Sequence, residues 1–241
     1  MAATKEQLKE LQRNMKAMGL YTGVIDGLWG PASHGAFLNA RRKASTMSKP
    51  SNAPDGIGVL LFAYCKAPAW SERVSLDFCF KTGEIAQKLK MGWQGQDQLM
   101  ACMAFETGGT FSPTIKNGAG APYYGIIQFG DAAAKDAGTT VAKLLKMTAE
   151  EQLTYVYNFF KPYAGKLQTL SDVYMRILYP VAVGKPEDYV LFSEANAKSK
   201  AYMQNKGLDA NKDGLITKAE AAAKVEQKLV EGLHPSNLRI A

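Results

Sequence analysis

Leu8, Leu11, Met15 and Met18 recur at three- and four-residue spacing between polar residues, which lays one apolar stripe along a helix. Thr4, with Gln7 three positions on, forms a capping box at its start, and Gly19 stops it. Residues 21–30 form a turn punctuated by glycine. Pro31 then opens a second helix to about Lys43, at the position where its missing N–H costs nothing. Residues 45–55, rich in Ser, Pro and Asn, read as a linker. Beyond it, Val74, Phe78, Ile85 and Leu89 keep helical spacing, with Gly83 as a weak point. Leu99, Cys102, Met103 and Glu106 share one face of the next helix, which Gly108 and Gly109 end. Residues 110–130 read as a loop or a small β-excursion. Thr148 and Glu151 form a second capping box, before Leu153, Val156 and Phe160. A short helix spans 172–179, stopped by Pro180, and helices over 198–207 and 218–232 flank an acidic loop. No βαβ alternation and no repeat is visible. The pattern predicts a mainly α fold: a small module at 1–45, a linker at 46–55, a larger helical domain at 56–200 and a helix–loop–helix at 201–241.

Composition narrows the function classes. With 46% hydrophobic and 21% charged residues, the 241-residue chain is of globular type rather than disordered, collagenous or a disulfide-rich miniprotein. The net charge is +7, and residues 1–50 carry +5 of it, which suggests a polyanionic partner for that segment. No apolar run reaches the roughly 18 residues of a membrane helix, so no stable membrane insertion is expected. The polar start has no apolar signal core, so a Sec route is not expected. Cys65, Cys79 and Cys102 are odd in number and form no CxxC or Cys/His cluster, so they read as buried free thiols from a reducing compartment. His34 and His234, far apart in sequence, disfavour His-based triads and zinc sites.

Leu11-Gln12, Gly19, Tyr21, Gly23, Ile25-Asp26-Gly27, Trp29-Gly30-Pro31 and Ala36-Phe37 resemble the peptidoglycan-binding domain of cell-wall hydrolases. The resemblance implies a small three-helix fold, with Tyr21, Asp26 and Trp29 as candidate wall-binding residues. A second resemblance covers about residues 70–195. Met103-Ala-Phe-Glu106-Thr-Gly-Gly, Asn117-Gly-Ala-Gly120 and Tyr124-Gly-Ile-Ile-Gln128-Phe are similar to the lysozyme-like fold of goose-type lysozymes and lytic transglycosylases, nearest to phage endolysins. It implies that Glu106 is catalytic and that Gln128 contacts the sugar. Asn117, Tyr124, Tyr157 and Tyr174 are further candidates for substrate binding, and Phe129 for lining the groove.

The chemistry asks for a carboxylic acid at 106. Cleaving the β-1,4 bond between N-acetylmuramic acid and N-acetylglucosamine requires protonation of the leaving oxygen. A free Glu, near pKa 4.3, is ionised at pH 7, and burial favours its neutral form. Two-carboxylate glycosidases place a partner about 5–9.5 Å away. No Asp or Glu follows Glu106 until Asp131, which leaves Glu84 or Asp77 as partners from elsewhere. The gap fits a lytic transglycosylase, which by resemblance uses one Glu as acid and then base and leaves a 1,6-anhydro end. A hydrolytic muramidase, a chitinase-like endolysin and a non-catalytic wall-binding virion protein stay open as alternatives.

A third motif stands apart. Asp209, Asn211, Asp213, Gly214, Leu215, Ile216, Thr217 and Glu220 fill the key positions of an EF-hand calcium loop. Oxygen ligands are expected from Asp209, Asn211, Asp213, the Leu215 carbonyl, Thr217 and Glu220, with Ca2+ in a structural role. The whole reads as a monomeric endolysin whose partner is peptidoglycan rather than nucleic acid. Without a signal peptide, such an enzyme is expected to wait in the host cytoplasm and to reach the wall through holin-type membrane lesions.

Overall fold

The computed structural model describes residues 3–51, 53, 56–118, 120–195 and 199–240. Linker positions 52, 54 and 55, and position 198 where a helix was expected to begin, lie outside them. The described residues are mainly helical. No helix among them is long and apolar enough to cross a membrane. The chain forms two compact units, one of residues 1–75 with 230–241 and one of 76–229. These limits differ from the sequence divisions at 45, 55 and 200.

The first unit holds three helices, α1 (Lys5–Ala17), α2 (Pro31–Ser45) and α3 (Val59–Lys66). Thr4 and Gln7 close the expected capping box on α1, and Pro31 takes the expected first position of α2. The third helix comes from beyond the linker, where no amphipathic period marks it. It packs on both α1 and α2. Asn14 of α1 accepts a hydrogen bond from the Gly58 amide at the start of α3 (3.1 Å). At its other end, buried Arg41 of α2 donates to the carbonyls of Tyr64 (3.2 Å) and Ala67 (2.7 Å). An eight-residue helix is marginal alone, and these two side chains serve its orphan backbone groups.

Residues 230–241 complete this unit. The Trp70 amide donates to the Gly232 carbonyl, and a Cβ on Gly232 would stand 2.3 Å from the Trp70 indole. Arg239 donates to the Val74 carbonyl (2.8 Å), and its amide bonds the Ser71 hydroxyl. His234 therefore packs edge-on to Trp29. Its charge also lowers the pKa of His34, which burial lowers most. The two histidines, remote in sequence, are neighbours in space.

The second unit contains α4 (Leu76–Lys88), α5 (Gly95–Glu106), α6 (Asp131–Asp136), α7 (Val141–Leu144), α8 (Ala149–Phe160), α9 (Leu170–Leu178), α10 (Ser199–Asn205) and α11, which starts at Lys218. Strands β1 (Val190–Ser193) and β2 (Leu215–Thr217) pair antiparallel. The sequence suggests a single apolar face for α5, but residues 97–104 are all buried. It is a central helix, buried on every side and apolar from Leu99 to Ala104. α4 and α9 pack against α5, and α8 packs on α4. The three cysteines are free and buried, as expected.

Candidate active site

Glu106 is the last residue of α5. The turn after it is fixed locally. Buried Thr107 donates to the Met103 carbonyl (2.7 Å) and accepts from the Phe111 amide (3.0 Å). Gly108 and Gly109 follow at positive φ, and the Gly109 amide reaches back to the Ala104 carbonyl. Glu106 is thus held at the end of a packed helix, half-buried.

Burial alone pushes its carboxyl up to about 8, so the acid is protonated at neutral pH. No neighbouring carboxylate contributes to that shift. Asp77 and Glu84, the partners considered from the sequence, are instead exposed and paired along α4 with Lys81 (2.8 Å) and Lys88 (3.2 Å). Tyr174 of α9 is buried, with its ring edge-on to Phe105 (5.4 Å). Its phenol is raised first by burial and then by the Glu106 charge, which reaches it across the α5–α9 contact. Cys102 lies one turn before Glu106, wholly buried, and burial raises its thiol.

Residues 113–118 and 120–129 form a loop with single β-bridges pairing Tyr124 with Lys116 and with Phe129. Its anchor is Gln152 of α8, which the sequence reading missed. Buried Gln152 donates to the carbonyls of Pro113 (2.7 Å) and Leu144 (2.9 Å) and accepts from the Ile126 amide (3.2 Å). Gly125, at φ +78°, passes so close that a Cβ would stand 2.6 Å from Gln152 Oε1. A polar residue on the buried face of a helix was the available signal.

Gln128 is a non-glycine residue at φ +54°. Its amide nitrogen donates to the carbonyls of Ile115 and Gly125, while its buried Oε1 has no partner among the described residues. Strained backbone and an unpaired acceptor together make Gln128 a candidate functional position. Gln128 lines a cleft of about 290 Å³ with Tyr123, Ile127, Asp131, Phe159 and Ile177. Glu106 is not among the lining residues. Ile177, which lines this cleft, lies one turn beyond Tyr174 on α9.

The other expected contacts fall as follows. Asn117 and Tyr124 are half-buried in the loop. Phe129 is fully buried against Phe159, a core position rather than a groove position. Tyr157 is half-buried with Lys161 over its ring. In the first unit, Tyr21 is buried and donates to the Val24 carbonyl (2.9 Å). Asp26 accepts from the Leu28 amide (2.8 Å) and from Gln12 (3.1 Å). Trp29 packs edge-on to Phe37. All three build the turn. Buried Gln12, whose Oε1 accepts from the amides of Asp26 and Gly27, is its hub.

No protein-family model and no curated protein matches the chain.

Proposed function

We propose that the chain is a bacteriolytic endolysin whose second unit cleaves the β-1,4 bond between N-acetylmuramic acid and N-acetylglucosamine of peptidoglycan. The observation that carries this reading is Glu106, a carboxyl kept protonated near neutral pH by burial alone at the end of a central helix. Glu106 donates its proton to the glycosidic oxygen as the C1–O bond breaks. Its carboxylate then takes the proton of the muramic C6 hydroxyl, whose oxygen closes on C1. The products are a 1,6-anhydro-muramic end and a free N-acetylglucosamine end, and Glu106 recovers its proton. The pairing of exposed Asp77 and Glu84 with Lys81 and Lys88 along α4 supports this single-acid course. Gln128, with its unpaired acceptor, is suited to an N–H or O–H of the sugar.

A second reading has a specific observation behind it. Asp131 shares the cleft with Gln128 and is the first acid after Glu106, so it is the carboxylate available for water activation in a muramidase. Mass spectrometry of released muropeptides separates the two. Anhydro-muramic ends are expected, with activity kept in Asp131→Asn. Hydrated reducing ends together with loss of activity in Asp131→Asn establish the muramidase. Clearing of wall substrate unchanged by Glu106→Gln overturns both, and leaves the wall-binding virion protein. Cleavage of chitin oligomers but not of muramic-containing glycan points to the chitinase-like reading.

The first unit is the proposed wall-binding head. Its exposed apolar side chains Val24 and Leu28 are 73% and 66% exposed, and Lys5, Arg42, Lys43 and Lys49 stand on its surface. Lytic release through holin-type lesions belongs to the same proposal.

A further inference from the structure

We propose that the loop 209–220 binds a calcium ion and that this binding fixes, through Lys218 and Asp172, helix α9, which packs on the helix that ends at Glu106.

The loop already has the local form that a calcium site needs. Asn211 Oδ1 accepts from the Asp213 amide (2.9 Å), and Asp213 Oδ1 from the Leu215 amide (2.9 Å). Gly214 turns at φ +82°. Ile216 is fully buried in β2, and β1 supplies the strand that pairs with it. Asp209 is 9% exposed, with Oδ2 bonded to the Tyr202 hydroxyl (2.7 Å) and to the Gly214 amide (3.1 Å). Thr217 and Glu220 cap α11 reciprocally: Glu220 Oε2 accepts from the Thr217 amide, and Thr217 Oγ1 from the Glu220 amide.

Two oxygens are left over. Asp209 Oδ1 and Glu220 Oε1 are buried and have no hydrogen-bond partner among the described residues. They are the first and last ligand positions of the loop. A buried carboxylate oxygen without a donor is costly, and a cation between the two ends removes that cost at both. Among the described residues no three His, Cys, Asp or Glu side chains already gather as a metal cluster. Half of this donor set is the Asn211 amide, the Leu215 carbonyl and Thr217, and exposed Asp213 accepts from the Leu215 amide and from Asn211 Nδ2. An ion held by these oxygens ties the first and last positions of the loop together, and that tie is what couples it to the rest of the unit.

The connection runs through Lys218, between ligands Thr217 and Glu220. Its ammonium is buried and donates to Asp172 Oδ1 (2.6 Å) and to the Lys185 carbonyl (2.7 Å). Asp172 lies in the first turn of α9. It also accepts from the Gly184 amide (2.7 Å) and from the Thr169 hydroxyl (3.0 Å). Tyr174 and Ile177 follow on that helix. An ion tied to Glu220 fixes the start of α11, and Lys218 passes the constraint to α9. Only the consequence for bond cleavage rests on the proposed role of Glu106; ion binding and the stiffening of α9 do not.

The test uses the full chain stripped with a calcium chelator. Terbium luminescence, sensitised by Tyr202, reports the loop, and amide hydrogen exchange reports residues 170–178. Calcium is expected to displace terbium with a dissociation constant in the range of about 10⁻⁵–10⁻³ M. At about 5 mM it is expected to raise the melting temperature by roughly 3 °C or more. Exchange over 170–178 is expected to slow about tenfold, in Glu106→Gln as in the wild type. Glu220→Gln keeps the cap but loses the charge, so its calcium affinity is expected to fall at least about tenfold. Lys218→Met is expected to bind calcium without slowing exchange in α9; if it does not fold, Asp172→Asn serves in its place. No terbium signal and no thermal shift with calcium overturn the site. Calcium binding with unchanged exchange over 170–178 overturns the coupling.

Discussion

At the residue scale, the behaviour of Glu106 follows from where its carboxyl is held. An acid raised from 4.5 to about 8 on folding binds more protons folded than unfolded between those values. Wild-type stability therefore falls across that window as pH rises, and the cost is complete above about 8. Glu106→Gln carries no such cost. Its melting temperature is expected to match the wild type near pH 4 and to exceed it increasingly towards pH 8, as thermal scans along a pH series will show. Glycan cleavage should fall as pH rises through about 8, with the loss of the acid form. Gln152 is the other decisive residue of this unit. Gln152→Leu strands the Ile126 amide and the Pro113 and Leu144 carbonyls in the interior. It should cost about 2–4 kcal/mol by denaturant unfolding.

At the element scale, caps and apolar periods carried the reading of α1, α2 and α8, because these signals are local. Helix α3 escaped it. All but the last of its eight residues are apolar or aromatic, so no stripe distinguishes a face. Its stability comes from Asn14 and Arg41, which lie on other helices. Arg41→Met removes the charge at the C-terminal end of α3 and leaves the Tyr64 and Ala67 carbonyls without that donor. The first unit is expected to lose about 2–3 kcal/mol. Denaturation followed through Trp29 and Trp70 fluorescence measures it, since the third tryptophan, Trp93, lies in the second unit and is 46% exposed. The same observation corrects the charge argument: Arg41 is spent inside the unit rather than presented to a polyanion.

At the scale of the whole molecule, the first unit is built from both ends of the sequence, so deletion of residues 1–45 strips α3 of its packing and is a poor test of wall affinity. Val24→Ser with Leu28→Ser changes exposed positions and leaves the Gln12 network in place. Sedimentation with purified walls should fall severalfold in this variant, with the melting temperature unchanged. Gly232→Ala places a methyl group 2.3 Å from the Trp70 indole. It should lower the melting temperature of the first unit while leaving that of the second, which calorimetry will separate.

The sequence by itself determined the helical class, the capped helices, the turn at 21–30, the loop that precedes the last helix and the position of Glu106 at a helix end. Each of these is written in residues close together along the chain. Only the tertiary structure decided that Glu106 is kept protonated by burial, that α9 packs on its helix with Tyr174 against Phe105, and that Gln152 fixes the loop bearing Gln128. It also joined His34 to His234 and Lys218 to Asp172. Those outcomes depend on desolvation and on buried hydrogen bonds between segments tens to hundreds of residues apart, and no local pattern of residues encodes them.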